Sequence, residues 1–109
     1  MSEEWRDIKG YEGKYQISNL GRVKSLKGNH GNYREKILSG SPNTGGYLQV
    51  DLLKKGKRNT FKIHKLVAIH FIDNPNNLPE INHKDENKQN NKVSNLEWCT
   101  RKYNQKLWY

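Results

Sequence analysis

The sequence predicts an α+β chain with a β-rich, basic N-terminal half, a connecting helix, and a C-terminal strand–loop–strand–helix unit. Three observations predict this. Short runs of alternating apolar and polar residues, separated by Gly- and Asn-rich turns, fill residues 1–62. One stretch at 63–72 has apolar residues at helical spacing. Positive charge is segregated: between residues 20 and 66, Arg22, Lys24, Lys27, Arg34, Lys36, Lys54, Lys55, Lys57, Arg58, Lys62 and Lys65 are opposed only by Glu35 and Asp51, so this part carries essentially the whole net charge of +9.

A chain of 109 residues supports one domain, or two small units sharing a modest core. Only 32% of residues are hydrophobic, so three Trp and six Tyr must supply much of the buried area. No apolar run approaches the roughly 18 residues of a membrane span, and no charged-then-apolar leader opens the chain. The single Cys99 excludes an internal disulfide and a cysteine-based zinc cluster, so no structural zinc is expected. These features predict a cytoplasmic protein without a membrane partner. Segregated basic charge is the footprint of a polyanion. Nucleic acid is therefore favoured over a merely solvated surface without a partner, and RNA is less favoured than double-stranded DNA because nothing in the sequence resembles an aromatic RNA-reading sheet.

Trp5 and Ile8 anchor a first short strand, and Gly10 and Gly13 bracket a turn. Tyr15-Gln16-Ile17-Ser18 alternates at period two; Asn19-Leu20-Gly21 turns the chain into 22–26, where Arg22 and Lys24 are expected on an outward face. Residues 27–33 read as a Gly/Asn loop that leaves His30 on the surface, 35–38 as a strand, and 39–46 as a turn cluster. Residues 47–53 and 60–63 form a hairpin around 54–59. Such a basic ribbon fits the major groove or lies along phosphates. In the helix, Ile63, Leu66, Val67 and His70 share a face, whereas His64 and His70 are six apart and do not form a metal pair. Both are read as structural. Asp73-Asn74-Pro75 ends the helix.

The C-terminal stretch concentrates the site chemistry. Asn82 and His83 close one short run; a polar loop with Lys84, Asp85, Lys88 and Lys92 follows; Asn95-Leu96-Glu97-Trp98 forms the second run; Thr100 stands at a helix N-cap, with Asn104 one turn on. Histidine takes a proton from water near neutral pH. Phosphodiester hydrolysis also needs a cation beside the phosphate, and amide oxygens are acceptable, if weak, ligands for Mg²⁺. Spacing alone is compatible with ordinary Asn-rich turns. Leu96 and Trp98 are expected in the core, with Trp108 beneath them.

These residues carry a resemblance. His64-Lys65-Leu66-Val67-Ala68, Ile81-Asn82-His83-Lys84-Asp85, Asn87, Asn90-Asn91, Asn95-Leu96-Glu97-Trp98, Thr100 and Asn104 resemble the HNH endonucleases of phage and homing type, which have the ββα-metal fold. Trp5, Gly10-Tyr11-Glu12-Gly13, Tyr15, Ser18-Asn19 and Gly21-Arg22-Val23 resemble the modular DNA-binding motif that commonly precedes such nucleases. The resemblance implies a β-rich DNA-binding region at 1–62 and an HNH unit at 63–109. It implies that His83 is the general base, that Asn95 braces the loop as the middle residue of the triad, and that Asn82 and Asn104 hold one Mg²⁺ or Mn²⁺ per chain. Cleavage is then expected to leave 5′-phosphate and 3′-hydroxyl ends, a monomer nicking and a homodimer cutting both strands, in a bacterial or phage-infected cell.

Arg22, Lys24, Lys54, Lys55, Lys57, Arg58, Lys62, Lys84 and Lys88 are the expected DNA contacts. Many family members carry Asp where this chain has Asn82, which removes a formal charge from the metal site. A catalytically inactive DNA-binding protein is therefore the alternative. Relatives often carry a further C-terminal DNA-binding module; with the sequence ending at Tyr109, short or relaxed sequence recognition is expected.

Overall fold

The computed structural model describes residues 2–29 and 34–103. His30, Asn104 and Trp108, all singled out above, lie outside the described residues. Among the described residues, three antiparallel sheets surround one complete α-helix, with a 3₁₀ turn at Val93–Asn95 and helical residues at 101–103. The first sheet is a meander of β1 (Trp5–Asp7), β2 (Tyr15–Ser18), β3 (Val23–Ser25) and β4 (Lys36–Leu38). The second joins β5 (Ser41–Pro42), β6 (Leu48–Lys54) and β7 (Lys57–Lys62). Helix α1 (Ile63–Phe71) leads to the third, β8 (Glu80–His83) against β9 (Leu96–Cys99). The expected α+β order is the observed one.

Local chemistry accounts for the boundaries. In β2 and β3 the alternate residues Tyr15, Ile17, Val23 and Ser25 are buried, as a half-buried sheet requires. The second hairpin is longer and tighter than the sequence predicts. Its turn is only Lys55-Gly56, both at positive φ (50° and 77°), the backbone that matches the twist of a two-residue hairpin. The strands therefore continue to Lys54 and Lys57. The cluster at 39–46 is not all turn: Ser41 and Pro42 pair with Gln49 and Leu48. Proline is tolerated there because β5 is an edge strand.

Helix α1 starts straight from β7, without a side-chain cap on Lys62. Its buried face, Ile63, His64, Leu66, Val67 and Ala68, touches β2, β6 and β7 on one side and β8, β9 on the other. One core thus runs from Ile8, Tyr11 and Ile17 through Leu52 and Val67 to Leu96. Burying a side chain of this size stabilises by about 1.5–3 kcal/mol. Polar groups also tie the sheets together: the Tyr15 hydroxyl accepts from Leu53 N–H at 3.1 Å, and Trp98 Nε1–H donates to the Ile72 carbonyl at 3.0 Å. His70 accepts from Lys9 N–H through Nε2 and donates to the Leu66 carbonyl through Nδ1, a fully satisfied structural role.

Candidate active site

Strand β8 ends in the two residues that carry the chemistry. Asn82 lies opposite Glu97 and His83 opposite Leu96 on β9. Asn82 is buried and its Nδ2 donates to Glu97 Oε1 at 2.9 Å. That bond orients the amide; among the described residues no hydrogen bond is recorded to its Oδ1, which is the atom a cation would use. His83 is 2% exposed, and its Nε2 lies 2.8 Å from Asn91 Oδ1. An amide oxygen can only accept, so with this orientation of the Asn91 amide the neutral form of the ring has its proton on Nε2 and its lone pair on Nδ1.

The loop between β8 and β9 is closed by Asn95. Its Oδ1 accepts from Asp85 N–H at 3.0 Å; its Nδ2 donates to Asp85 Oδ1 and to the Asn90 carbonyl, both at 2.9 Å; its carbonyl accepts from Lys84 N–H at 2.8 Å. Asp85 also accepts from Asn90 Nδ2 and from Asn87 N–H. The Asn90 amide, then Asn87 N–H and the Asn95 side chain, hold its carboxyl below the usual carboxylate range. Asp85 is thus occupied by the loop. Thr100 caps helical residues 101–103, the last that are described, by accepting from Tyr103 N–H at 3.1 Å.

Two neighbours of His83 carry no site role in the sequence reading. His64, on α1, places its ring centroid 5.0 Å from that of His83, and Tyr47 lies 5.0 Å from His64 and 5.8 Å from His83. Burial, then the charges of His83, Lys62 and Lys65, lowers the His64 pKa to about 4, so this ring is neutral at pH 7. Asn91 is the other; in a loop of similar amides, nothing local marks it as the partner of His83. Two buried atoms here have no hydrogen-bond partner, His64 Nδ1 and Asn91 Nδ2.

The expected DNA contacts divide into two groups. Lys55, Lys57 and Arg58 are exposed at the tip of the β6–β7 hairpin. The others each have a partner in the protein, although Arg22, Lys62 and Lys84 are exposed too. Arg22 forms a two-bond pair with Glu3, which lowers the Glu3 pKa, and Lys24 sits 4.1 Å over the Trp5 ring and 3.5 Å from Glu35. With its side chain only 14% exposed, Lys24 lies along the sheet and not free in solvent as the alternation predicts. Lys54 donates to the Gly10 carbonyl, Lys62 and Lys88 lie over Tyr47, and Lys84 reaches the Ser94 carbonyl.

For a metal, the described donor set is sparse. No group of three His, Cys, Asp or Glu side chains converges among the described residues. Asn82 Oδ1 is a hard, neutral oxygen, which fits Mg²⁺ or Mn²⁺ and not a thiolate-seeking ion. No helix among the described residues is long and apolar enough to cross a membrane.

Comparison with known proteins matches this geometry. Residues 3–52 match the NUMOD4 motif and residues 75–106 the HNH endonuclease family. The DNA endonuclease I-HmuI of Bacillus phage SP01 is 46% identical over 101 residues, covering 93% of this chain and 55% of that protein. An uncharacterised HNH endonuclease of Acanthamoeba polyphaga mimivirus is 44% identical over 90 residues, covering 83% of this chain and 26% of that one. The chain therefore spans about half, or less, of the length of these relatives. A solved structure, described as DNA binding and cleavage by the HNH homing endonuclease I-HmuI, superposes with a TM-score of 0.81 over 95% of this chain and 56% of that one, at 46% identity. With a NUMOD4 motif followed by an HNH unit in both sequence and fold, the chain belongs to the HNH endonuclease family.

Proposed function

We propose that the protein is a divalent-metal-dependent DNA endonuclease in which His83 is the general base. The observation that carries this reading is the His83–Asn91 hydrogen bond, which engages Nε2 and so assigns the base role to Nδ1 of a ring anchored at the end of β8. Nδ1 takes a proton from water as the water oxygen bonds to the scissile phosphorus; the P–O3′ bond breaks and the departing oxygen takes a proton from solvent, giving a 5′-phosphate and a 3′-hydroxyl. A ring this buried meets a positioned water and not bulk solvent. Asn95 acts indirectly, by fixing Asp85 and Asn90 on either side of the loop that presents Asn91. Asn82, with Asn104 beyond the described residues, would hold one Mg²⁺ or Mn²⁺. When bound, the ion stabilises negative charge developing on the phosphate. Residues 1–62 grip DNA, chiefly through Lys55, Lys57 and Arg58, and 63–109 carry the reaction, in a phage-infected or bacterial cell. One site per chain nicks; a homodimer cuts both strands.

The neutral Asn82 favours one competing reading, a DNA-binding protein that has lost its metal and its catalysis. Supercoiled plasmid incubated with the protein in Mg²⁺, in Mn²⁺ and in EDTA separates the two. Open-circular product with either metal and none in EDTA is expected. Plasmid that is retarded on a gel yet uncut under every metal overturns the nuclease reading.

A further inference from the structure

The turn that ends the first hairpin lies against the loop that holds His83. The carbonyl of Asn19 accepts Val93 N–H at 2.8 Å. Gly21, at φ +83, is packed so closely that a Cβ there would stand 2.8 Å from both Cβ and the carbonyl oxygen of Asn91. Asn91 is 4% exposed and meets His83 through Oδ1, while its Nδ2 is buried without a partner. No hydrogen bond from Nδ2 therefore fixes this amide. Packing against Gly21 and the neighbouring Asn19–Val93 bond hold the segment that presents it.

We propose that the turn Asn19-Leu20-Gly21 of the N-terminal motif is a positioning element for the nuclease, setting Asn91 and through it the His83 ring. The proposal rests on His83 being the base. Close-packed backbone transmits displacement because it has no room to absorb it, and a reacting group misplaced by about 1 Å loses rate steeply. The turn thus joins a DNA-binding motif to the catalytic loop, and the two units are not a tether and an independent blade.

Three variants of the whole chain test this. Gly21→Ala pushes a methyl group into Asn91. Gly28→Ala is the control, since Gly28 has φ +88 and nothing within 4 Å of an added Cβ, giving equal backbone strain without the contact. Val93→Pro removes the N–H that Asn19 accepts. Lys92, at φ −63° and ψ 140°, already has the backbone that precedes proline, and Val93 opens a 3₁₀ turn where proline is tolerated. The readouts are ¹⁵N signals of the His83 ring without DNA, single-turnover cleavage at saturating protein, and DNA affinity in EDTA. Gly21→Ala and Val93→Pro are expected to shift the ring signals and lower the saturated rate at least about tenfold, with affinity unchanged, while Gly28→Ala matches the wild type. Unchanged His83 signals in both variants overturn the proposal, as does an equal rate loss in Gly28→Ala. Should Gly21→Ala fail to fold, Val93→Pro carries the test. A wild type that cuts no DNA removes the nuclease reading, and the ring signals still decide whether the turn positions His83.

Discussion

His64 and His83 are the same residue type 5.0 Å apart, and their surroundings give them different work. His83 has its Nε2 hydrogen-bonded to Asn91, whereas His64 is held neutral by burial, with its pKa lowered from 6.5 to about 4. The unfolded chain binds a proton at His64 near its ordinary pKa, and the folded chain refuses it until about pH 4. Its contribution to stability is therefore complete above about pH 6.5 and is lost as pH falls toward about 4, with a ceiling of about 3 kcal/mol. Urea unfolding followed from about pH 7 to about pH 4.5 should show this decline. His64→Phe, which keeps a ring and removes the ionisation, should flatten it. An equally steep decline in His64→Phe would assign the loss to other groups.

The β8–β9 loop depends on one amide. Asn95 is 9% exposed and its side chain makes three hydrogen bonds, to Asp85 N–H, Asp85 Oδ1 and the Asn90 carbonyl. At about 1 kcal/mol each, Asn95→Ala should destabilise by about 2–3 kcal/mol. Hydrogen exchange at Asp85 N–H should accelerate by more than at amides of β6, and a uniform acceleration would mean that the loop is not a separate unit. Most elements at this scale are legible in the sequence, because alternation at Tyr15–Ser18 and the apolar spacing at Ile63–Val67 follow from burial on one face. The edge strand Ser41–Pro42 is not, since two residues in a turn cluster have no period. Asn82, His83 and Asn95 are legible as motif residues. The roles of His64 and Asn91 are not: the first depends on α1 crossing β8, the second on a glycine seventy residues away in the chain.

The whole molecule is elongated, 47 × 29 × 24 Å, and its long axis exceeds one turn of B-DNA, about 34 Å. Exposed Lys55, Lys57 and Arg58 lie at one hairpin tip, while Arg22, though exposed, is paired with Glu3 and Lys24 is covered by Glu35 and Trp5. Net charge therefore overstates the number of cations ready to meet phosphate. Replacing Lys55, Lys57 and Arg58 by Ala should flatten the plot of log affinity against log salt by about 2–3 units. Replacing Arg22 and Lys24 should change it less per residue. Equal slopes for the two sets would contradict this division of the surface.

The proposed role of His83 is that of the base that activates water at a DNA phosphate. Single-turnover cleavage of duplex DNA at saturating protein in Mn²⁺, wild type against His83→Ala, with affinity measured in EDTA, tests it most directly. A rate loss of about 10²–10⁴ with affinity intact is expected. A His83→Ala protein that cuts at the wild-type rate would contradict it.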